Sequence, residues 1–288
     1  MNPATFRFAP SPNGRLHLGH AYSALLNERF ARGAGGRLLL RIEDIDPGRT
    51  REEHVRAICE DLAWLGLAWE KPVRRQSRHL ADYAAAAERL RGGGLLYPCF
   101  CSRAEVARNA ARLGAAAPRD PDGAFLYPGT CRALSREEAA TRIAAGERAA
   151  WRLDMARARL AAPAPLSWRR FGLDFGEEEV RARPEGWGDA VLVRRDTPTS
   201  YHLSVVVDDA LQGITHVVRG RDLEAATDLH RLLQALLGLP RPLYHHHALV
   251  RDEAGAKLAK SAGSASLADL REAGETAESI RLRLGFGG

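Results

Sequence analysis

The sequence predicts an α/β chain: a doubly wound, mostly parallel sheet carrying an inserted subdomain and ending in a short helical segment. Three observations predict it. Strand-like and helix-like periodicities alternate from residue 5 to residue 91, an order that builds a right-handed parallel sheet. The first strand enters the first helix through a turn holding two histidines around a glycine, at the place where doubly wound sheets bind nucleotides. The alternation then breaks near residue 96, where a Cys-x-Cys pair opens a Gly/Ala/Pro-rich stretch, and returns after about residue 185.

The elements follow in order. Residues 5–9 alternate as a short strand, Pro10 to Gly14 break it, and 18–32 read as an amphipathic helix. Residues 37–42 are an apolar run suited to a buried parallel strand. Residues 51–65 and 78–91 are helical, the second closed by Gly92-Gly93-Gly94. Residues 135–146 begin Ser-Arg-Glu-Glu, a capping arrangement for a short helix. Residues 149–155 and 191–194 look like strands around a Pro-rich middle. Sheet character resumes with strands at 201–207 and 214–219, then a helix at 222–237 ended by Gly238 and Pro240. The expected division is 1–95 and 186–240 as two halves of the sheet domain, 96–185 as the insertion, and 241–288 as the terminal segment.

Composition bounds the function. Hydrophobic residues make up 45% and charged residues 27%, an ordinary globular profile. No apolar stretch is long enough to span a bilayer and no signal peptide is visible, so a cytoplasmic chain without membrane contact is expected, working as a monomer. The net charge of +6 favours a polyanionic partner. The excess is local: residues 97–170 hold 13 arginines against 7 acidic residues, leaving 29 of each sign elsewhere. Lysine is scarce. Against 39 arginines stand only Lys71, Lys257 and Lys260, and two of the three lie three residues apart. That spacing suggests a task needing a compact, rotatable ammonium rather than a planar fork.

Two sites carry chemistry. In the first, His17 and His20 flank Gly19 at the helix entrance, where backbone amides receive phosphate and imidazole N–H groups can stabilise developing charge. No Gly-x-Gly-x-x-Gly or phosphate-cradling lysine loop is present, which excludes an ordinary dinucleotide site or P-loop. In the second, Cys99 and Cys101, then Cys131, offer three thiolates with a close pair, suited to tetrahedral zinc. The fourth ligand must come from elsewhere: histidine or water is the first choice on general chemistry, and Tyr127 stays open because the nearest histidine is distant in sequence. Cys59 sits on an apolar helix face and reads as core. His245, His246 and His247 are consecutive on a strand, so they cannot converge on a metal.

His17-Leu18-Gly19-His20 resembles the HIGH signature of class I aminoacyl-tRNA synthetases, and Lys257-Leu258-Ala259-Lys260-Ser261 resembles their KMSKS loop, with Ala259 where serine is frequent. Arg7-Phe8-Ala9-Pro10-Ser11-Pro12, Arg41-Ile42-Glu43-Asp44-Ile45-Asp46, Val207-Asp208-Asp209 and His216-Val217-Val218-Arg219-Gly220 are similar to the glutamyl branch. The resemblance covers nearly the whole chain and implies a Rossmann-like catalytic domain that joins L-glutamate to ATP as glutamyl-AMP. It implies roles too. His17, Gly19, His20, Lys257 and Lys260 would serve ATP, with Mg²⁺ on the pyrophosphate. Arg7 and Arg219 would take the carboxylates, Glu43 the ammonium, and Phe8, Ala9, Pro10, Ser11 and Tyr201 the remaining walls. Asp44 and Asp46 shape a turn.

The cysteine spacing resembles the zinc site of glutamyl-queuosine tRNA(Asp) synthetases, in which a tyrosine phenolate is the fourth ligand; Tyr127 takes that place here. Only 27 residues follow Ser261, which leaves no room for the anticodon-binding region of complete glutamyl-tRNA synthetases. The resemblance therefore implies transfer of glutamate to the queuosine base of tRNA(Asp), with the basic insertion on its phosphates. A catalytic fragment of an ordinary glutamyl-tRNA synthetase, a nucleotidyltransferase sharing His-x-Gly-His and a non-catalytic tRNA-binding paralogue are the alternatives.

Overall fold

Residue 3 to residue 250 and residues 265–287 are described by the computed structural model, apart from Leu113 and the side chain of Ala115. The first half runs β1 (Thr5–Phe8), α1 (Leu18–Gly33), β2 (Arg37–Ile42), α2 (Glu52–Trp64), β3 (Glu70–Arg75) and α3 (Leu80–Gly92). The middle holds β4 (Leu96–Cys99), α4 (Arg103–Ala111), α5 (Arg136–Ala144), β5 (Ala150–Leu153), α6 (Met155–Ala161), β6 (Ser167–Phe171), β7 (Glu177–Arg181) and β8 (Val191–Val193). The chain closes with α7 (Tyr201–Leu211), β9 (His216–Gly220), α8 (Ala226–Leu237), β10 (Leu243–His247), α9 (Leu267–Glu272) and α10 (Ala277–Arg283).

Seven strands form the main sheet in the order β3-β2-β1-β9-β10-β6-β7. Every neighbouring pair is parallel except β6 and β7. All four residues of β1 are buried, as a central parallel strand covered on both faces requires. One face packs on α1 and α2 through Phe6, Leu25 and Ile58, the other on α3, α7 and α8 through Tyr83, Val206 and Leu233.

The structure departs from the sequence reading in the unforeseen helices α4 and α6 and in four further places. Residues 201–207, expected as a strand, begin the helix α7. The β-branched run Val205-Val206-Val207 favours a strand locally, but every residue from Leu203 to Asp209 is buried, and a helix enclosed on all sides tolerates that run. Strand β3 was unforeseen: Glu-Lys-Pro-Val-Arg-Arg has no apolar alternation, and its proline is tolerated at the sheet edge. Residues 167–181, placed in the insertion, add two strands to the main sheet, while β8, placed in the sheet domain, pairs antiparallel with β5. The two sheets therefore do not divide at residue 185. Finally, residues 221–223 form a separate 3₁₀ turn, and α8 starts only at Ala226. Gly238 ends α8 in the left-handed conformation, φ 61°, as its position predicts. The capping box of Ser135 and Glu138 forms as well.

Candidate active site

Chain order reverses at β1: β2 and β3 lie to one side, β9 and β10 to the other. Such a switch point opens a crevice at the carboxyl ends of the strands. A cavity of about 530 Å³ occupies it, lined by Arg7 and Phe8 of β1, Ala9, Pro10 and Ser11 after it, His17, Gly19 and His20 at the start of α1, Glu43 after β2, Tyr201 of α7 and Arg219 of β9. Residues far apart in the chain thus share one cleft.

The helix entrance is built from its own imidazoles. His17 caps α1: its Nδ1 accepts from the Gly19 amide at 3.1 Å, and the His17 amide donates to His20 Nδ1 at 3.2 Å. With both Nδ1 atoms accepting, the neutral rings carry their protons on Nε2. A Cβ on residue 19 would stand 3.0 Å from His17 Cε1, so any larger residue would press on the capping ring and shift it.

The two arginines of the cavity are handled differently. Arg7 donates from Nε to Asp209 Oδ1 at 3.1 Å, and the same oxygen accepts from Arg41 at 2.8 Å. Arg41 also pairs with Glu43 at 3.2 Å. Burial works against the Asp209 carboxylate, yet Arg7 and Arg41 hold its pKa below the ordinary carboxylate range. Burial pushes Glu43 upward despite Arg41 and Arg7. Asp208, next in the chain, is fully enclosed and takes hydrogen bonds from Tyr83, Gln76 and Arg74. Arg219 has no such carboxylate: its hydrogen-bond partners among the described residues are Tyr201, Thr227, His230 and His246, all uncharged.

Lys257, Lys260 and Ala259 lie outside the described residues. The flanks of their segment are described: Leu249 and Val250 line the cavity, and Ser266 forms a bridge with His17. His245, His246 and His247 turn to different surroundings, as expected. His245 meets the Phe171 carbonyl, His246 meets Thr227, and His247 borders the cavity. Asp44 shapes its turn through Arg75 and Ser77, and Asp46 through Arg49. Cys59 packs against the core. Arg41, Asp208, Asp209, Thr227 and His230 were missed as site residues. Two adjacent carboxylates ending an apolar run were the available signal, since buried charges demand partners.

The second site lies in the small antiparallel sheet β4-β5-β8. The Sγ atoms of Cys99, Cys101 and Cys131 all lie within 4.8 Å of one another. The Tyr127 hydroxyl stands 3.4 Å from Cys101 Sγ and accepts from the Cys131 amide at 2.8 Å. Tetrahedral zinc at about 2.3 Å from each sulfur sets sulfurs about 3.8 Å apart, so the cluster has the dimensions of a metal site. Between it and the sheet domain lies a larger cavity of about 970 Å³, which shares Tyr201 as a wall with the first.

The model of the class I tRNA synthetases (E and Q), catalytic domain, matches residues 4–285. A glutamyl-Q tRNA(Asp) synthetase of Rhodobacter capsulatus is 47% identical, over 97% of this chain and 99% of that protein. A glutamate–tRNA ligase 2 of a Methylobacterium species is 41% identical over 93% of this chain, which spans only 56% of the ligase. The crystal structure of a glutamate tRNA ligase from Elizabethkingia meningosepticum superposes with a TM-score of 0.79 at 27% identity, covering 98% of this chain and 60% of that one. No described helix is long and apolar enough to cross a membrane. Fold, motif order and these similarities agree: the chain belongs to the class I tRNA synthetases of the E and Q type, as their catalytic domain.

Proposed function

We propose that this chain activates L-glutamate with ATP to glutamyl-AMP without tRNA, then transfers the glutamate to the queuosine base in the anticodon loop of tRNA(Asp). One observation carries the first step: a buried guanidinium, Arg219, whose partners among the described residues are uncharged, lines the same cavity as the paired imidazoles of a helix start. A buried cation left without a carboxylate favours an incoming one. The near-complete overlap with a glutamyl-Q tRNA(Asp) synthetase supports the acceptor.

In this reading Arg219 and the Tyr201 hydroxyl hold the side-chain carboxylate, and Arg7 orients the α-carboxylate. Glu43, whose charge is supported by Arg41, receives the ammonium. Phe8, Ala9, Pro10 and Ser11 wall the substrate against the strand end. The α-carboxylate oxygen attacks the α-phosphorus of ATP, the bond to pyrophosphate breaks, and the Nε2–H groups of His17 and His20 stabilise the phosphates. Gly19 lets the nucleotide approach, and Lys260 with Lys257 neutralises the departing charge. Mg²⁺ accompanying ATP would supply further neutralisation on the pyrophosphate. Cys99, Cys101, Cys131 and Tyr127 would hold one structural zinc ion, which would fix the small sheet rather than take part in the reaction. ATP and tRNA as substrates support a cytoplasmic enzyme.

The test is pyrophosphate exchange dependent on glutamate, followed by transfer of labelled glutamate to tRNA(Asp) with and without queuosine. Exchange without tRNA, and label only on queuosine-containing tRNA(Asp), is expected. Label on the 3′ end of tRNA(Glu) would instead identify an ordinary glutamate–tRNA ligase domain, a reading to which the overlap with longer ligases also lends support. Lys260→Ala should lower kcat for exchange by on the order of 100-fold or more with little change in glutamate KM. Equal loss in both removes its transition-state role.

A further inference from the structure

Four arginines near the cleft are buried or nearly so, and three of them are compensated by acids. Arg7 and Arg41 share Asp209, Arg41 also meets Glu43, and Arg74 meets Asp208. Arg219 is packed by a different rule. Its NH2 group donates to Thr227 Oγ1 at 2.8 Å, its NH1 group faces His230 Nδ1 at 3.3 Å, and its Nε lies 3.4 Å from His246 Nε2. Thr227, His230 and His246 are all buried.

We infer that His230, His246 and Thr227 are positioning residues that fix the Arg219 guanidinium through uncharged contacts alone, reserving its charge for the substrate's side-chain carboxylate and so selecting glutamate over glutamine. This rests on the glutamate reading above.

The geometry dictates the protonation. A guanidinium only donates, so His230 Nδ1 must accept, and a neutral His230 keeps its proton on Nε2. That Nε2 lies 3.2 Å from His202 Nδ1, so His202 accepts in turn and carries its own proton on Nε2. His202 borders the larger cavity, where Trp187 meets its ring edge-on with centroids 4.9 Å apart. On the other side, Thr227 accepts from Arg219 and spends its own proton on His246 Nε2 at 3.0 Å, which leaves the His246 proton on Nδ1. The electrostatics agree with neutral rings. Burial, and then the charge of Arg219, pushes His202 down to about 4, His246 down to about 2 and His230 well below its usual value.

The arrangement has a consequence for selectivity. A carboxylate at His230 would form an ion pair with Arg219 and cancel the charge the substrate needs. Imidazole supplies an acceptor of similar reach without that charge. Glutamine brings an amide whose N–H₂ faces other donors in the same place, leaving buried groups unpaired, which is how a polar site rejects a near-isostere.

Two measurements test this. Long-range ¹H–¹⁵N spectra of the unmodified protein at neutral pH should show His230 and His202 neutral with the proton on Nε2, and His246 neutral with it on Nδ1. A charged ring, or the opposite tautomer at His230, overturns the inference. The second uses His230→Asp and His230→Asn in glutamate-dependent pyrophosphate exchange. His230→Asp should raise the glutamate KM on the order of 10- to 100-fold with kcat nearly kept, and reduce discrimination against glutamine by a similar factor. His230→Asn, whose Oδ1 replaces the accepting Nδ1, should stay within about threefold of the parent. A folded His230→Asp protein with the parent's KM overturns the inference, as does an Asn variant equally impaired. If His230→Asp does not fold, the tautomers and the Asn variant decide. Absence of any glutamate-dependent exchange in the unmodified protein would instead remove the glutamate reading itself.

Discussion

Asp209 holds two buried guanidiniums on one atom: a single oxygen serves Arg7 at 3.1 Å and Arg41 at 2.8 Å. Breaking such a group leaves Arg7 without its carboxylate beside Arg41, which keeps Glu43 and Asp208, in a medium that screens charge poorly. Asp209→Asn should therefore cost about 3–5 kcal/mol, measured by urea unfolding, and raise the glutamate KM because Arg7 loses its anchor. A change below about 1 kcal/mol would mean the network is only a surface-type pair. The residues expected from the sequence to meet a ligand, His17, His20, Arg7, Glu43 and Arg219, line one cavity; they are types the chemistry demands, set at strand ends and helix starts. Asp209 was not, because it touches only other side chains, and its partner Arg7 is 202 positions away. Nothing local marks a contact of that separation. Thr227 and His230 escaped for the same reason. Their role appears only when α8 packs across β9 and β10.

At the scale of elements, local signals succeeded where they agreed with the environment and failed where burial overrode them. The strands β1 and β2 and the helices α1, α2 and α3 were found within a residue or two at most ends, because apolar period and end signals coincide there. The helix α7 was read as a strand from three consecutive valines; burial of every residue from Leu203 to Asp209 makes that local preference irrelevant. The hairpin of β6 and β7 was hidden by its charge. Arg169 and Arg170 face Glu177 and Glu178 across the pair, a pattern that suits an exposed edge and carries no apolar alternation. The cysteine-bearing element was legible because ligand spacing is local. If it holds the proposed zinc, the unmodified protein should contain one zinc ion per chain by elemental analysis, and Cys99→Ser close to none. Hydrogen exchange should then quicken in β4 and around Cys131 while β1 and β9 stay protected. Equal quickening of β1 and β9 would show that the metal site stabilises the whole molecule rather than its own subdomain.

Across the molecule, the C-terminal segment is fastened to the first half of the sheet domain beside the helix entrance. The Leu267 amide donates to the Leu16 carbonyl at 2.8 Å, immediately before His17. Arg281 donates to the Leu65 carbonyl at 3.0 Å and pairs with Glu28 at 3.3 Å, while Leu267 and Ile280 join the core around α1. These contacts bring Ser266 and Leu267 back beside the helix entrance of the cleft. Asp61 sits in this seam. It is buried on α2 with Arg271 3.8 Å away. Burial outweighs the help of Arg271 and Arg15 and pushes its carboxyl up to about 6. The unfolded chain would hold it near 3.9. A carboxyl raised by folding binds its proton more tightly in the folded state, so its contribution is favourable below about pH 4 and is lost as pH rises through about 6. Asp61→Asn imitates the protonated form. Its Tm should exceed the parent's at pH 7.5, and the difference should shrink as pH falls through 6 toward 4. A difference that stays constant across this range would mean that Asp61 ionises as an exposed carboxylate does, and that the seam between α2 and the C-terminal helices is not held closed against water.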